Sequence, residues 1–277
     1  MSAVPDAPPA VSADAGRLPA GPAPWRLLPS RVATLCLVEL QKLRHDRSEL
    51  VTRAIQPALW LLIFGQTFTR IRAIPTGRVP YLDYLAPGIL AQSALFISIF
   101  YGIQIVWDRD AGILAKLLVT PTPRAALVAG KAFAAGVRGV AQAVVIGVLA
   151  LLLGVHVTAN PLRLALVVVV VILGSAFFSC LSMTIAGLVL TRERLMGIGQ
   201  AIMMPLFFGS NALYPVAVMP GWLRALSRVN PLSYEVDALR GLMIGTPAHV
   251  ALDVAVLVGC AVVGIGASAA LLGRLAR

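Results

Sequence analysis

Six apolar stretches, 50–68, 84–107, 125–155, 161–190, 196–213 and 250–272, alternate with short basic or Pro/Gly-rich breaks, and they restrict this chain more than any other feature. A helix needs about 20 predominantly apolar residues to cross the hydrocarbon core of a bilayer, and all six stretches reach or approach that length. In lipid each backbone N–H and C=O must be satisfied within the protein, so the predicted fold is all-α: a polytopic membrane protein with six transmembrane helices. The third and fourth stretches exceed the bilayer thickness and predict tilt or extension beyond it.

Composition agrees. With 58% hydrophobic and 13% charged residues and a mean hydropathy of +0.86, an ordinary soluble domain is excluded. The net charge of +11 raises the question of nucleic acid. Lys and Arg are scattered at the ends of apolar runs rather than gathered on one aromatic-interleaved face, so no nucleic-acid partner is expected. Placing the N-terminus inside puts 15 of the 23 basic residues on the cytoplasmic side, leaves seven outside and keeps Arg138 within the third stretch. That bias predicts a multi-pass protein of the cytoplasmic (inner) membrane with both termini cytoplasmic.

Cys36, Cys180 and Cys260 are dispersed, as are His45, His156 and His249. Neither set has the spacing of a disulfide framework or a metal site, so no metal is expected and the histidines read as interfacial or capping side chains. Residues 1–30, rich in Ala and Pro and without a signal-peptide core, predict a disordered cytoplasmic tail ahead of a membrane domain at 31–277. From Ser30, a suitable N-cap, residues 31–45 form an amphipathic pattern: Val32, Leu35, Cys36, Leu40 and Leu43 share one arc, with Arg31, Thr34, Gln41, Lys42 and His45 opposite and Arg44 near its end. Such a helix lies along lipid headgroups or packs on other protein.

The segment 214–248 is more than a connection. Pro220-Gly221-Trp222 opens one short helix, and Asn230-Pro231 have the N-cap and first-turn identities that start another. Leu232, Val236, Leu239 and Met243 then recur at helical spacing, with Trp222 and Tyr234 suited to headgroup level. Two short re-entrant outer helices fit the pattern, and so does an ordered outer loop.

Between the second and third stretches stands the one organised charge cluster, Asp108-Arg109-Asp110-Ala111-Gly112. Its carboxylates suit the N-terminus of a short helix over 108–120, with Ile113, Leu114, Leu117 and Leu118 on an apolar edge, Lys116 and Thr120 off it, and Pro121 and Pro123 as the stop. The cluster is either an input point for a partner or simple capping and anchoring.

Here the chain resembles the membrane subunits of type-2 ABC exporters. Asp108-Arg109-Asp110-Ala111-Gly112, then Leu117-Leu118, Thr120-Pro121 and Gly130-Lys131, is similar to that family's acidic-Arg-acidic-x-Gly loop and the positions after it. Asn230-Pro231-Leu232-Ser233-Tyr234 with Asp237-Ala238-Leu239-Arg240 resembles its outer signature. Asp stands at both acidic positions where Glu is commoner, which shortens the reach to a partner. The resemblance implies a dimer of this chain with itself or a related permease, above separate cytosolic ABC ATPase subunits that carry the ATP and magnesium. It makes 31–45 an elbow helix, with Arg31, Lys42 and Arg44, and makes 108–120 a coupling helix, with Asp108, Arg109, Asp110, Gly112, Leu114, Lys116 and Leu117 facing the ATPase. The outer helices, with Trp222, Asn230, Pro231, Tyr234, Asp237 and Arg240, would narrow the exit.

No phosphate-binding loop is present: Gly130-Lys131 is followed by Ala132, and Ala125 stands where the first glycine belongs. No nucleotide cofactor is therefore expected on this chain, and no enzymatic activity of its own. Arg138, with Gln142, either lines a polar route or snorkels to the interface. Trp60, Phe64 and Phe68 recur every four residues, and Phe96, Phe100, Tyr101, Phe207 and Phe208 join them as either packing or route lining. An exporter of an amphipathic, lipid-like or drug-like substrate is the expected function. An ion-coupled secondary transporter is disfavoured because no acidic residue falls mid-span. A lipid-modifying enzyme using Asp108 and Asp110 for a metal lacks a second acidic cluster.

Overall fold

The computed structural model describes residues 47–71, 74–77, 79–119, 123–189 and 191–275, together with 30, 32–34, 36, 37 and 41. Arg31, Lys42 and Arg44 of the expected elbow helix, the expected tail before Ser30, and Thr120 and Pro121 lie outside the described residues, although the described positions between 30 and 41 are helical. The helices are α1 (Arg47–Ile71), α2 (Tyr81–Asp110), α3 (Ile113–Val119), α4 (Arg124–Leu152), α5 (Pro161–Val189), α6 (Arg192–Phe208), α7 (Gly221–Val229), α8 (Pro231–Ile244) and α9 (Val250–Leu275). Among the described residues there is no strand.

Four of these, α2, α4, α5 and α9, are long and apolar enough to cross a membrane. The other two expected spans fall short of that combined requirement. The 25-residue α1 carries Arg47, Glu49, Arg53 and Arg70, and α6 has only 17 residues. The stretch 196–213, expected to be one span, is helical only to Phe208. Beyond it the Gly209 N–H closes on the Pro205 carbonyl at 2.8 Å, and Ser210 and Asn211 turn the chain.

The long helices alternate in direction, so one end of the bundle holds α3 and the described residues 108–119, and the other holds α7, α8 and the described loop residues 74–77, 79, 80 and 153–160. Buried α2 and α5 form the centre, with α4, α8 and α9 packed around them. Apolar side chains gain little by leaving lipid for protein, so close backbone approach and interhelical hydrogen bonds must hold such a bundle. Small residues provide both. A Cβ on Gly102 of α2 would stand 2.6 Å from the Ser179 carbonyl oxygen of α5, and the Ser182 hydroxyl donates to the Ile99 carbonyl at 2.8 Å beside it. Where α9 meets α5, Gly264 lies against Cys180, and Ser268 donates to the Cys180 carbonyl at 2.7 Å.

Candidate functional site

The charge cluster is a strap rather than a cap. Asp108 and Asp110 belong to the last turn of α2, and α3 begins only at Ile113 with no acidic residue in its first turn. This corrects the expected single helix over 108–120: α2 runs on through Asp110, and Gly112, whose φ of +70° suits a residue without a Cβ, redirects the chain. Carboxylates at a helix C-terminus oppose the helix dipole, so they require cations nearby. Three supply them. Lys131 of α4 donates to Asp108; Arg109 and Arg192 flank Asp110, at 2.8 Å from Arg109 Nη2 to Oδ1 and 2.6 Å from Arg192 Nε to Oδ2. At this water-facing end, past the apolar stretch, the Arg109 guanidinium foremost, with Arg192 adding to it, holds the Asp110 carboxyl below its ordinary range. Both acids are engaged by cations from α2, α4 and α6, an arrangement that disfavours the metal reading.

From this strap α3 projects as a short arm. Leu114 is 2% exposed and, with Leu117, packs on Ile105, Leu127, Val128 and Leu272 of α2, α4 and α9. Ile113, expected on that buried edge, instead faces outward at 46% exposure with Lys116 and Val119. The arm thus has an anchored side and an open side that mixes apolar and cationic groups.

At the opposite end, α7 and α8 meet at Asn230. Its Oδ1 accepts from the Leu232 N–H at 3.0 Å, capping α8, while its Nδ2 donates to the Leu206 carbonyl of α6 at 2.7 Å. Pro231 takes the first helical position, where a missing N–H costs nothing. Tyr234 donates its hydroxyl to the Arg228 carbonyl at 2.6 Å, closing the two helices on each other. Arg240 is buried: its guanidinium lies 3.7 Å from the centre of the Tyr84 ring, donates to the Asn211 carbonyl at 3.0 Å, and pairs with Asp237 at 3.4 Å. Asp237 also accepts from Asn211 Nδ2 at 2.6 Å. Trp222 remains 70% exposed, as an interfacial aromatic would.

The aromatic side chains divide into two groups. Trp60, Phe64, Phe68, Phe207 and Phe208 pack on one another, with Trp60 stacked on Phe64 at 4.6 Å and edge-on to Phe207 at 5.5 Å, so they form a seam between α1 and α6. Phe100 and Tyr101 lie elsewhere, beneath the guanidiniums of Arg53 (5.4 Å) and Arg138 (4.9 Å). Arg138 is buried among helices, and Gln142, one turn along α4, borders a neighbouring cavity.

Two features escaped the sequence reading. His156, read as isolated, places Nδ1 3.1 Å from the Asp83 carboxylate. Glu235 of α8, outside the six apolar stretches, is fully buried against Gly174, near the middle of the 29-residue α5. It lies on the same arc as Leu232, Val236 and Leu239, so its burial was readable from the helical spacing.

Residues 31–244 match the ABC-2 type transporter family. The chain is 32% identical over 207 residues to a putative transport permease ycf38 of Cyanophora paradoxa, covering 73% of this chain and 70% of that one. It is 27% identical to the daunorubicin resistance ABC transporter permease protein DrrB1 of Streptomyces coeruleorubidus, covering 73% and 71%. Nodulation protein J of Rhizobium meliloti (strain 1021) is 29% identical, covering 71% and 75%. With the family match spanning most of the chain and the all-helical, multi-pass architecture beneath it, this protein belongs to the ABC-2 type transporter family and is a membrane transport subunit rather than an enzyme.

Proposed function

We propose that the chain is the permease of an ATP-driven exporter, working as a dimer with itself or a related permease and driven by a separate cytosolic ATPase that holds the ATP and magnesium. The observation that carries this reading is α3: a short arm anchored by Leu114, open along Ile113, Lys116 and Val119, and standing on a strap that joins α2, α4 and α6. A push on its open side is delivered to α2, α4 and α6 together, as a rigid-body transition requires. The reading places α3 and both termini in the cytoplasm, counts α1 and α6 as the remaining two spans, and sets α7 and α8 in the outer leaflet at the exit. Its cargo is amphipathic, lipid-like or drug-like, in keeping with a drug-resistance permease among the relatives.

Co-purification with the ATPase encoded alongside, followed by substrate-stimulated hydrolysis, tests the coupling. Asp108→Ala and Arg109→Ala should reduce complex yield or stimulation; if both remain at the wild-type level, the coupling role is wrong. Buried Glu235 is the observation that would favour ion coupling instead. Transport that survives ATP depletion and collapses with the proton gradient would establish that alternative.

A further inference from the structure

Two small cavities between α1, α2 and α4 share Arg53, Ile97 and Phe100, and among the described residues no acidic side chain lines either of them. The larger, of about 100 Å³, is bordered by Arg53, Gln56, Ser93, Phe100 and Gln142; the smaller, of about 40 Å³, adds Arg138, Tyr101 and Trp107. Arg53 and Arg138 stack on consecutive aromatic residues of α2, which brings two guanidiniums to one place. Gln142 is 1% exposed, and neither its amide nitrogen nor its amide oxygen has a protein partner. A buried amide left this way loses about 1–3 kcal/mol, so its environment favours a ligand that accepts from it.

We propose that this cleft binds the phosphate or carboxylate group of an anionic amphiphile, with Arg53, Arg138 and the Gln142 amide N–H as donors. Guanidiniums suit that ligand because their planar N–H array matches an oxyanion, and each keeps its aromatic ring as a backing surface. Size restricts the occupant to the charged group alone. Whole drug-sized ligands occupy about 300–1,000 Å³, several times the space here, so the acyl or apolar remainder must stay in the bilayer. Depth agrees: at about 1.5 Å per residue, Arg138 lies roughly 21 Å along an α4 of roughly 43 Å, beyond its cytoplasmic first turns and inside the apolar region. The site rests on the orientation proposed above, which makes it open towards the inner leaflet; its chemistry does not depend on ATP.

The test uses the full chain, reconstituted in nanodiscs of equal parts phosphatidylglycerol and phosphatidylcholine, released and weighed by native mass spectrometry with no ATPase or nucleotide present. Wild type should retain phosphatidylglycerol in preference to phosphatidylcholine. The preference should fall about fivefold for each arginine removed in R53Q and R138Q and fall further with Q142L, while the R53K/R138K pair, which keeps the charge but not the planar N–H array, should retain more of it than R53Q/R138Q. Inorganic phosphate in the buffer separates the two sources of the anion. Competition by phosphate assigns a site open to soluble oxyanions, whereas persistence of the lipid assigns one loaded from the bilayer. Absence of a preference in wild type, a preference unchanged in R53Q/R138Q, or one no greater in a monodisperse R53K/R138K than in R53Q/R138Q overturns the proposal. Failure of ATPase coupling alone would leave this selectivity in place, and failure here would leave the coupling result untouched.

Discussion

Replacing Gly88 with alanine should destabilise this protein, while the same change at Gly147 should not. Both glycines lie inside long helices, where alanine is favoured by about 1 kcal/mol on helix propensity. Their surroundings reverse the outcome. A Cβ on Gly88 would stand 2.8 Å from the Ala212 Cα and 2.9 Å from its carbonyl carbon, distances that real Cβ atoms essentially never show, and the atoms met are backbone rather than a yielding side-chain tip. Nothing lies within 4 Å of the corresponding point on Gly147. To admit the methyl group at position 88, the 209–214 segment must move, and that segment is held by the Tyr84 and Tyr81 hydroxyls (both 3.1 Å) and by Arg240 (3.0 Å). Overpacking costs about 1–3 kcal/mol, and each weakened hydrogen bond adds about 1 kcal/mol, against a propensity gain of about 1 kcal/mol. With one of these bonds weakened, the net expectation is a loss of roughly 1–3 kcal/mol for G88A, against a gain of up to about 1 kcal/mol for G147A. Heating detergent-solubilised fluorescent fusions and counting the monodisperse fraction by size exclusion should order the midpoints G147A, wild type, G88A. Because the obstacle is backbone, A212G should not rescue G88A. A G88A midpoint at or above wild type would refute the close approach of α2 to the 209–214 turn.

Three further outcomes follow from other contacts. Reversing the pair that ties α2 to α4, as D108K/K131D, should recover most of the stability and ATPase coupling lost in D108K alone; the lost attraction itself is at most about 1 kcal/mol because both side chains are partly exposed. Failure of the double variant to improve on the single one in thermal midpoint and stimulated hydrolysis would show that the strap is not an ion pair. At the buried end, G174A and E235A should be coupled: a Cβ on Gly174 would sit 2.6 Å from Glu235 Oε1, so G174A should be less harmful once E235A has vacated that space. A double-mutant cycle should give about 0.5–3 kcal/mol of relief, and strict additivity would deny the contact. E235Q should be tolerated far better than E235K, since a carboxyl with both oxygens lacking protein partners fits its pocket as a neutral group.

Much of the architecture was readable because lipid restricts the options. An apolar run of bilayer length has to be helical, and α2, α4, α5 and α9 stand where those runs lie. Local chemistry also fixed the start of α8, since Asn230 and Pro231 suit the N-cap and first turn whatever surrounds them. Residues whose partners are distant were not readable. Asp108 and Asp110 looked like N-terminal caps because the sequence shows neither Lys131 nor Arg192 beside them. The 209–213 run follows directly on the apolar residues of α6 and reads as its continuation, yet its backbone turns to serve Tyr84, Tyr81 and Arg240 from other elements. Arg53, 85 positions from Arg138, joins it only through the crossing of α1, α2 and α4.

In the proposed exporter, α2 is the element that meets both ends of the problem. Its 30 residues span about 45 Å, with Asp108 and Asp110 in the strap at one end and Tyr84 beneath Arg240 at the other. Most of its side chains are buried, and packed interiors transmit displacement rather than absorb it. The strap prevents α3 from swinging alone, so a push there moves α2 with α4 and α6. Pro87 interrupts the helical hydrogen-bond ladder about two turns from the far end, immediately before Gly88, where α2 touches the 209–214 turn. Flexing of α2 at that proline would change the angle at which Tyr84 meets Arg240, and so the seating of α8. On that proposal the charge cluster acts mechanically: it would fix the near end of α2 so that movement is expressed at the far end, beside the outer helices.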